Sequence, residues 1–156
     1  MILAGALLWQ NVWKGYRSVE IMEKHILEIG SSAFFSKTIT EHDIYTYAGV
    51  TGDFNPVHVN EEEAKKSIFG HRIAHGMLTG GLISTVLGNK LPGEGTIYLE
   101  QNLKFTAPVY IGDTCTACVK VIEILNYKKG IYKLETRVVN QNKRTVSEGY
   151  AVVKYS

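Results

Sequence analysis

The longest hydrophobic stretch of the chain covers residues 74–91 and has apolar residues on nearly every helical face. A helix without a polar face is a buried one, so this pattern predicts a long helix in the interior of the fold. A glycine inside a helix costs about 1 kcal/mol relative to alanine, and this helix has four. They predict a close approach of strands or a ligand to the helix backbone. These glycines are Gly76, Gly80, Gly81 and Gly88.

From Thr96 onward the hydrophobic period changes to two residues, which is typical of strands with one buried face and one solvent-exposed face. One side of the first strand carries Ile97, Leu99, Leu103 and Phe105. Further strands are predicted at residues 114–125, around residues 132–138 and at residues 145–155, each separated from the next by turn residues. Successive strands joined in this way indicate an antiparallel meander.

Shorter elements are predicted ahead of the long helix. Residues 25–40 favour an entry strand, a loop and a short strand. Thr40 and Asp43 have the spacing of a capping box, which predicts a helix over residues 41–50. Asn60, followed by three glutamates, predicts the N-cap of another short helix with an acidic first turn. The apolar residues of that helix are Ala64 and Ile68.

Residues 1–21 stand apart from this pattern. Residues 1–9 are apolar but too few to span a bilayer, and they lack the basic start and cleavage site of a signal peptide. Trp9 and Trp13 fall on one face of a helical pattern, and that face either packs on the domain or a partner or belongs to an appendage. We favour an appendage, with residues 22–156 as a single domain.

Composition and charge exclude several functional classes. The net charge is +2, and no basic run exceeds two residues, so nucleic acid is not expected as a partner. Two cysteines are too few for a disulfide framework, and we expect a cytoplasmic protein without membrane attachment. Cys115 and Cys118 are three apart in a predicted strand, so their thiols should diverge. We predict that both are buried free cysteines.

The chemistry of the chain is concentrated in residues 53–58, DFNPVH. Pro56 has a fixed φ and pushes the residue before it toward an extended conformation, so Asp53 and His58 lie on a stiff turn. A carboxylate and an imidazole that meet at one point can share the proton transfers to and from a water molecule. Taken alone, the same spacing also fits a simple turn with a surface histidine.

Three other polar residues are weaker candidates. His42 lies in the exposed first turn of a predicted helix, and we expect it to be solvated. His71 and Arg72 follow Gly70 in a predicted loop. They either bind an anionic ligand or form a solvated surface pair.

The stretch around the turn resembles the signature of the (R)-specific enoyl-CoA hydratases, the MaoC-like dehydratase family. That signature is met by residues 47–58, YAGVTGDFNPVH, and by Ala64 after five further residues. The similarity covers residues 22–154 and includes Ala74-His75-Gly76-Met77. It implies an α+β hot-dog fold, in which an antiparallel β-sheet wraps around a long buried central helix.

The resemblance also implies roles for individual residues. Asp53 and His58 would activate the water that adds to the double bond, and the Gly76 N–H would donate to the thioester carbonyl. Ser84 either corresponds to a family serine near the active site or is a helix serine bonded to its own backbone. Asn55 is a further substrate-binding candidate, although its place in the turn favours a structural role. No metal and no cofactor are implied.

The expected function is therefore the reversible hydration of a trans-2-enoyl thioester to the (R)-3-hydroxyacyl thioester. The carrier is either coenzyme A or an acyl carrier protein, and a homodimer is expected because an exposed sheet edge is commonly paired with its own copy. Two alternatives use the same fold: a thioesterase that directs water at the carbonyl, and a non-catalytic acyl-thioester binding protein. His75 is expected to be structural rather than a third acid or base.

Overall fold

The structure, a computed structural model, describes residues 27–155 of the chain. The interpretation of residues 1–21, with Trp9 and Trp13, lies outside these residues. In chain order the elements are β1 (Ser32–Thr38), α1 (Glu41–Thr51), α2 (Pro56–Val59), α3 (Glu61–Lys66), α4 (Gly76–Asn89), β2 (Ile97–Phe105), β3 (Thr114–Asn126), β4 (Ile131–Val139) and β5 (Thr145–Lys154).

The five strands form one antiparallel sheet with the order β1-β3-β4-β5-β2. Strands β3, β4 and β5 are consecutive neighbours, which confirms the predicted meander for these three strands but not for β2. Strand β2 follows α4 in the chain but pairs with β5, so it lies at one edge of the sheet. This arrangement of an antiparallel sheet packed on a central helix agrees with the predicted fold class.

The hydrophobic core lies between α4 and one face of the sheet. Alternate residues of β3 and β4 face the core, as the period of two predicts. The buried residues of α4 are Leu78, Thr79, Leu82, Ile83, Val86 and Leu87. Burying apolar surface contributes roughly 25 cal/mol per Å², so this interface is the main source of stability for the elements that carry the site.

The opposite side of α4 is open, which corrects the prediction of a helix buried on every face. Met77 is 54% exposed, and Ser84 is exposed as well. A Cβ added at Gly81 or Gly88 would meet no atom within 4 Å. The prediction was wrong because a single five-stranded sheet covers one side of the helix and leaves the other uncovered.

The alternation predicted for β2 holds at Leu103, which packs against the core, and fails in the first half of the strand. A β-bulge interrupts its pairing with β5 between Tyr98 and Glu100. Ile97, Leu99 and Phe105 are 54%, 51% and 49% exposed, respectively. A bulge inserts an extra residue and so breaks the alternation at that point. The edge strand therefore presents apolar side chains to the surroundings.

Local signals in the first half predicted helix starts correctly. The Thr40 hydroxyl accepts a hydrogen bond from the Asp43 N–H at 3.3 Å, and the Asp43 carboxylate accepts one from the Thr40 N–H at 2.9 Å. Asn60 Oδ1 accepts hydrogen bonds from two N–H groups of the first turn of α3. Ile68, however, lies beyond the end of α3 and is 96% exposed.

The predicted entry strand is absent from the described part of that region. Residues 29 and 30 form a turn, and Ile29 is 64% exposed. The chain becomes a strand at Ser32, where β1 pairs with β3. Residues 25 and 26 lie outside the described part of the chain.

The two cysteines of β3 differ in their environments. Cys115 faces the core, and burial, together with the nearby Asp113, raises the pKa of its thiol to about 11. Cys118 is exposed, because it faces away from α4. The thiols diverge as predicted and are free, but the prediction that both are buried is wrong for Cys118.

Gly149 should be essential for the pairing of β2 with β5. A Cβ added there would lie 2.0 Å from the Asn102 carbonyl oxygen, so Gly149→Ala must push the two strands apart. We expect a loss of about 3 kcal/mol in the free energy of unfolding, at the upper end for an overpacked site.

The matched control is Gly49→Ala in α1, where a Cβ meets nothing within 4 Å. It should stabilise by up to about 1 kcal/mol. Urea unfolding of both variants checks this, and equal stabilities would contradict it.

Candidate active site

The stiff turn between α1 and α2 is held by side-chain hydrogen bonds. Gly52 ends α1 with φ 78°, a left-handed conformation that favours glycine. The Asp53 N–H donates to Thr51 Oγ1 at 3.3 Å, and the Asn55 N–H donates to Asp53 Oδ1 at 3.2 Å. Asn55 Oδ1 in turn accepts the Val57 N–H at 3.3 Å and caps α2. Asn55 thus holds the turn, in agreement with its expected structural role.

The His58 ring is oriented by the backbone. Its side chain is buried, and Nδ1 lies 2.8 Å from the Ile73 carbonyl oxygen. Since a carbonyl oxygen only accepts, Nδ1 carries the proton, and in the neutral ring Nε2 is left with a free lone pair. The Ile73 N–H donates to the Val57 carbonyl at 3.1 Å, so the segment that orients His58 is itself tied to α2.

His75 connects the two candidate catalytic residues. Its Nε2 lies 2.9 Å from the Asp53 carbonyl oxygen and donates to it. Its ring lies on the His58 ring with 3.9 Å between centroids and on the Tyr47 ring with 4.8 Å. His75 Nδ1 is buried and has no hydrogen-bond partner within the described structure. These contacts agree with the expected structural role of His75.

Gly76 begins α4, and its N–H belongs to the first turn of that helix. The N-cap residue, His75, makes no side-chain capping hydrogen bond. N–H groups in the first turn have no acceptor within the helix, and the helix dipole adds positive potential there. A Cβ added at Gly76 would lie 3.0 Å from the Phe105 ring, and one at Gly80 would lie 3.4 Å from Leu103. The predicted close approach is therefore confirmed for these two glycines.

Asp53, His58 and Gly76 line a single cavity of about 550 Å³. Ligand-binding pockets generally fall between roughly 300 and 1,000 Å³, so the cavity has room for a small substrate. Its remaining walls are largely apolar, and they include Ile73, Met77, Phe105, Pro108, Val109 and Val146. The site therefore combines a few polar groups with apolar walls.

Ser84 and Asn55 do not line this cavity. Ser84 lies two turns beyond Gly76 on the open side of α4 and is exposed. Contact between Ser84 and a substrate stays a prediction, and within this chain it has no supporting geometry.

Carboxylate and imidazole groups also bind metal ions. One ligand atom each of Asp53, His58 and His75 lies within 4.8 Å of the others. A metal ion binds imidazole nitrogen at about 2.0–2.1 Å and lies near the plane of each ring. The His58 and His75 rings lie 3.9 Å apart between centroids and are inclined by 34°. His58 Nδ1 and His75 Nε2 are already hydrogen-bonded to backbone carbonyl oxygens. That the site works without a metal ion stays a prediction.

The surface candidates have protein partners. Arg72 contacts Glu41 and Glu61, and His71 Nδ1 contacts Glu61 at 2.9 Å. Both residues of the predicted surface pair therefore bind acidic side chains of the chain itself. His42 is exposed, as predicted, and contacts Thr46.

Sequence reasoning did not find three contributors to the site: the Ile73 carbonyl, the Tyr47 ring as a contact of His75, and the Phe105 ring. A backbone carbonyl has no residue-type signal, so nothing in the sequence indicated Ile73. Tyr47 is part of the signature. It lies four residues before Thr51 on α1, and this spacing is the signal that places its ring beside the segment from Asp53 to His58.

Comparison with known proteins assigns the family. The MaoC-like domain matches residues 28–145, and the chain belongs to this family. The chain is 52% identical to the (R)-specific enoyl-CoA hydratase of Rhodospirillum rubrum over 124 residues, which cover 80% of this chain and 85% of that protein. It is 42% identical to the 3-hydroxybutyryl-CoA dehydratase of Methylorubrum extorquens over 128 residues, 82% of this chain and 80% of that one.

The fold agrees with a solved structure of the same kind. The (R)-hydratase from A. caviae involved in PHA biosynthesis superimposes with a TM-score of 0.80 and 40% sequence identity, covering 85% of this chain and 99% of that chain. The fold is therefore the hot-dog fold expected from the resemblance. Across residues 27–155, no helix is long and apolar enough to cross a bilayer.

The contact between Gly76 and Phe105 leads to a prediction for the site. In Gly76→Ala the new methyl group competes with the Phe105 ring, and either the methyl or the displaced ring obstructs the α4 amino terminus. Because losing one backbone donor of this kind costs roughly 100- to 1,000-fold in kcat, we expect a drop of at least tenfold in turnover of an enoyl thioester. The double variant Gly76→Ala with Phe105→Leu should recover part of it, and no recovery would contradict steric competition.

Proposed function

We propose that this protein catalyses the reversible hydration of trans-2-enoyl-CoA to (R)-3-hydroxyacyl-CoA. The observation that carries the proposal is the meeting of Asp53 and His58 in one cavity with the amino terminus of α4. The similarity to a protein named (R)-specific enoyl-CoA hydratase over most of both chains supports it.

The two side chains have complementary roles toward water. His58 Nε2 is free to accept a proton because Nδ1 is held by Ile73, and the Asp53 carboxylate accepts a second hydrogen bond from the same water. The water oxygen forms a bond to C3 while its proton leaves for the base. The π electrons of the C2=C3 bond move toward the thioester carbonyl. C2 then takes up the proton that the base removed from the water, which regenerates the base and completes the addition of one water.

The negative charge that develops on the thioester oxygen needs a donor. The Gly76 N–H is suited to this role because it lies at the positive end of α4 and its residue lines the cavity. A preorganised donor of this kind stabilises the transition state more than the ground state. Holding the carbonyl there also offers one face of the enoyl group to the water. Because Asp53 and His58 hold that water on the same side, both the hydroxyl at C3 and the proton at C2 should arrive on that face, a syn addition.

The two alternative functions have weaker support. A thioesterase would direct water at the carbonyl carbon, whereas the paired acid and imidazole match a hydratase signature throughout residues 47–58. A non-catalytic binding protein would have no need of this pair. Release of free thiol from acyl-CoA identifies the first alternative, and binding without turnover identifies the second.

The proposal is tested by mixing the purified protein with crotonyl-CoA and following the loss of conjugated-enoyl absorbance. The product is then offered to dehydrogenases specific for (R)- or (S)-3-hydroxyacyl-CoA, and only the (R) enzyme should respond.

Asp53→Asn and His58→Ala should each lower turnover by at least about 100-fold while the protein stays folded. A signal with the (S) enzyme alone, or full activity of either variant, would overturn the corresponding assignment. Crotonyl-acyl carrier protein in parallel decides between carriers.

We also propose a homodimer in which residues 22–156 form the domain and residues 1–21 are an appendage. The open side of α4 and the apolar edge strand β2 support self-association, because an uncovered edge favours pairing with another strand. Light scattering should give the mass of two chains for the full protein and for a variant lacking residues 1–21, with equal activity. Monomers at micromolar concentration would contradict the dimer, and an inactive truncation would contradict the appendage.

The proposed location is the cytoplasm. Cys115 and Cys118 are free thiols, which is usual in a reducing compartment. Cell fractionation tests this, and recovery in the secreted or membrane fraction would contradict it.

A further inference from the structure

Three groups of the candidate site come from one short segment, residues 73–76. The Ile73 carbonyl orients His58, the His75 ring holds the Asp53 carbonyl, and Gly76 supplies the N–H at the start of α4. An isolated β-bridge outside the five strands pairs Ile73 with Tyr110. Any shift of this segment would move all three groups together.

Arg72 anchors the beginning of that segment. Its side chain is 15% exposed and contacts two helices at once: Nη2 donates to Glu41 at 2.6 Å and Nη1 donates to the Tyr45 hydroxyl at 2.8 Å, both on α1. Nε donates to Glu61 on α3 at 3.4 Å. The Arg72 backbone N–H donates to the same Glu61 carboxylate at 3.2 Å.

The charged side chains of this cluster, Arg72 with Glu41 and Glu61, attract one another. Hydrogen bonds from His71 and then Arg72 lower the pKa of Glu61, and the hydrogen bond to Glu41 raises the pKa of Arg72. The planar guanidinium also lies over the Tyr45 ring at 5.7 Å. A lysine ammonium has no fork of donors that could reach Glu41, Tyr45 and Glu61 together.

We propose that Arg72 is a positioning residue for the hydration reaction. It holds residues 72–76 against α1 and α3 and thereby fixes the Ile73 carbonyl against His58 Nδ1. This inference rests on the proposed hydratase function. Arg72 touches neither the water nor the substrate. It acts through the hydrogen bond that keeps the proton on His58 Nδ1 and leaves Nε2 free as the base.

The test compares Arg72→Lys with Arg137→Lys as a matched control. Arg137 is 52% exposed on β4, and its Nη2 donates to the Glu135 carboxylate at 3.4 Å. In Arg72→Lys, kcat with crotonyl-CoA should fall by roughly 10- to 100-fold, the scale for a small misplacement of catalytic groups, with KM little changed. The control should keep the kcat of the unaltered protein.

A second readout reports on His58 directly. Long-range ¹H–¹⁵N spectra of the unaltered protein should show His58 with its proton on Nδ1, and Arg72→Lys should show a mixture of tautomers. The His58→Ala variant assigns the signal. A fall in kcat without a change of tautomer, or the reverse, overturns the proposal, because a merely structural role would not couple the two.

If Arg72→Lys does not fold, Tyr45→Phe removes one hydrogen bond to the same guanidinium, and it should move both readouts in the same direction by a smaller amount. No movement in either readout then overturns the proposal. If the unaltered protein does not hydrate crotonyl-CoA, the proposed function fails, whereas the tautomer comparison still decides whether Arg72 positions His58.

Discussion

The hydrogen bond between His58 Nδ1 and the Ile73 carbonyl is the interaction on which the site depends. A histidine whose tautomer is not fixed spends part of its time with its lone pair turned away from the reacting water. Here a carbonyl 15 residues away in the chain holds the ring, and a buried carbonyl without a donor would itself cost free energy. One hydrogen bond therefore both orients the His58 ring and satisfies the Ile73 carbonyl.

A second constraint is the unequal covering of α4. The sheet order places β2 at an edge, so a single chain buries one side of the helix and leaves the other exposed. The small residues on the open side, Gly81, Ser84 and Gly88, would allow another surface to approach closely. The cavity that holds Asp53 and His58 begins at the same helix, so covering that side would also change how open the cavity is.

Local signals in the sequence predicted most of the fold, because they depend on neighbouring residues alone. The capping box of Thr40 and Asp43 and the N-cap at Asn60 are examples. The turn from Asp53 to His58 was predicted through proline and through family resemblance. The bulge beside Leu99 and the exposure of Cys118 depend on the pairing of distant strands, and the Ile73 carbonyl has no side-chain signature. These features become visible when the chain is folded.

Of the two thiols of β3, only one is accessible for chemical attachment. Cys115 is buried and its pKa is raised to about 11, so it stays a protonated, shielded thiol near neutral pH, while Cys118 is exposed on the other face of the strand. That face lies away from α4 and from the cavity. A maleimide dye or a surface linker would therefore attach at one position among the described residues, on the back of the sheet, and the native sequence already permits immobilisation with the cavity facing outward.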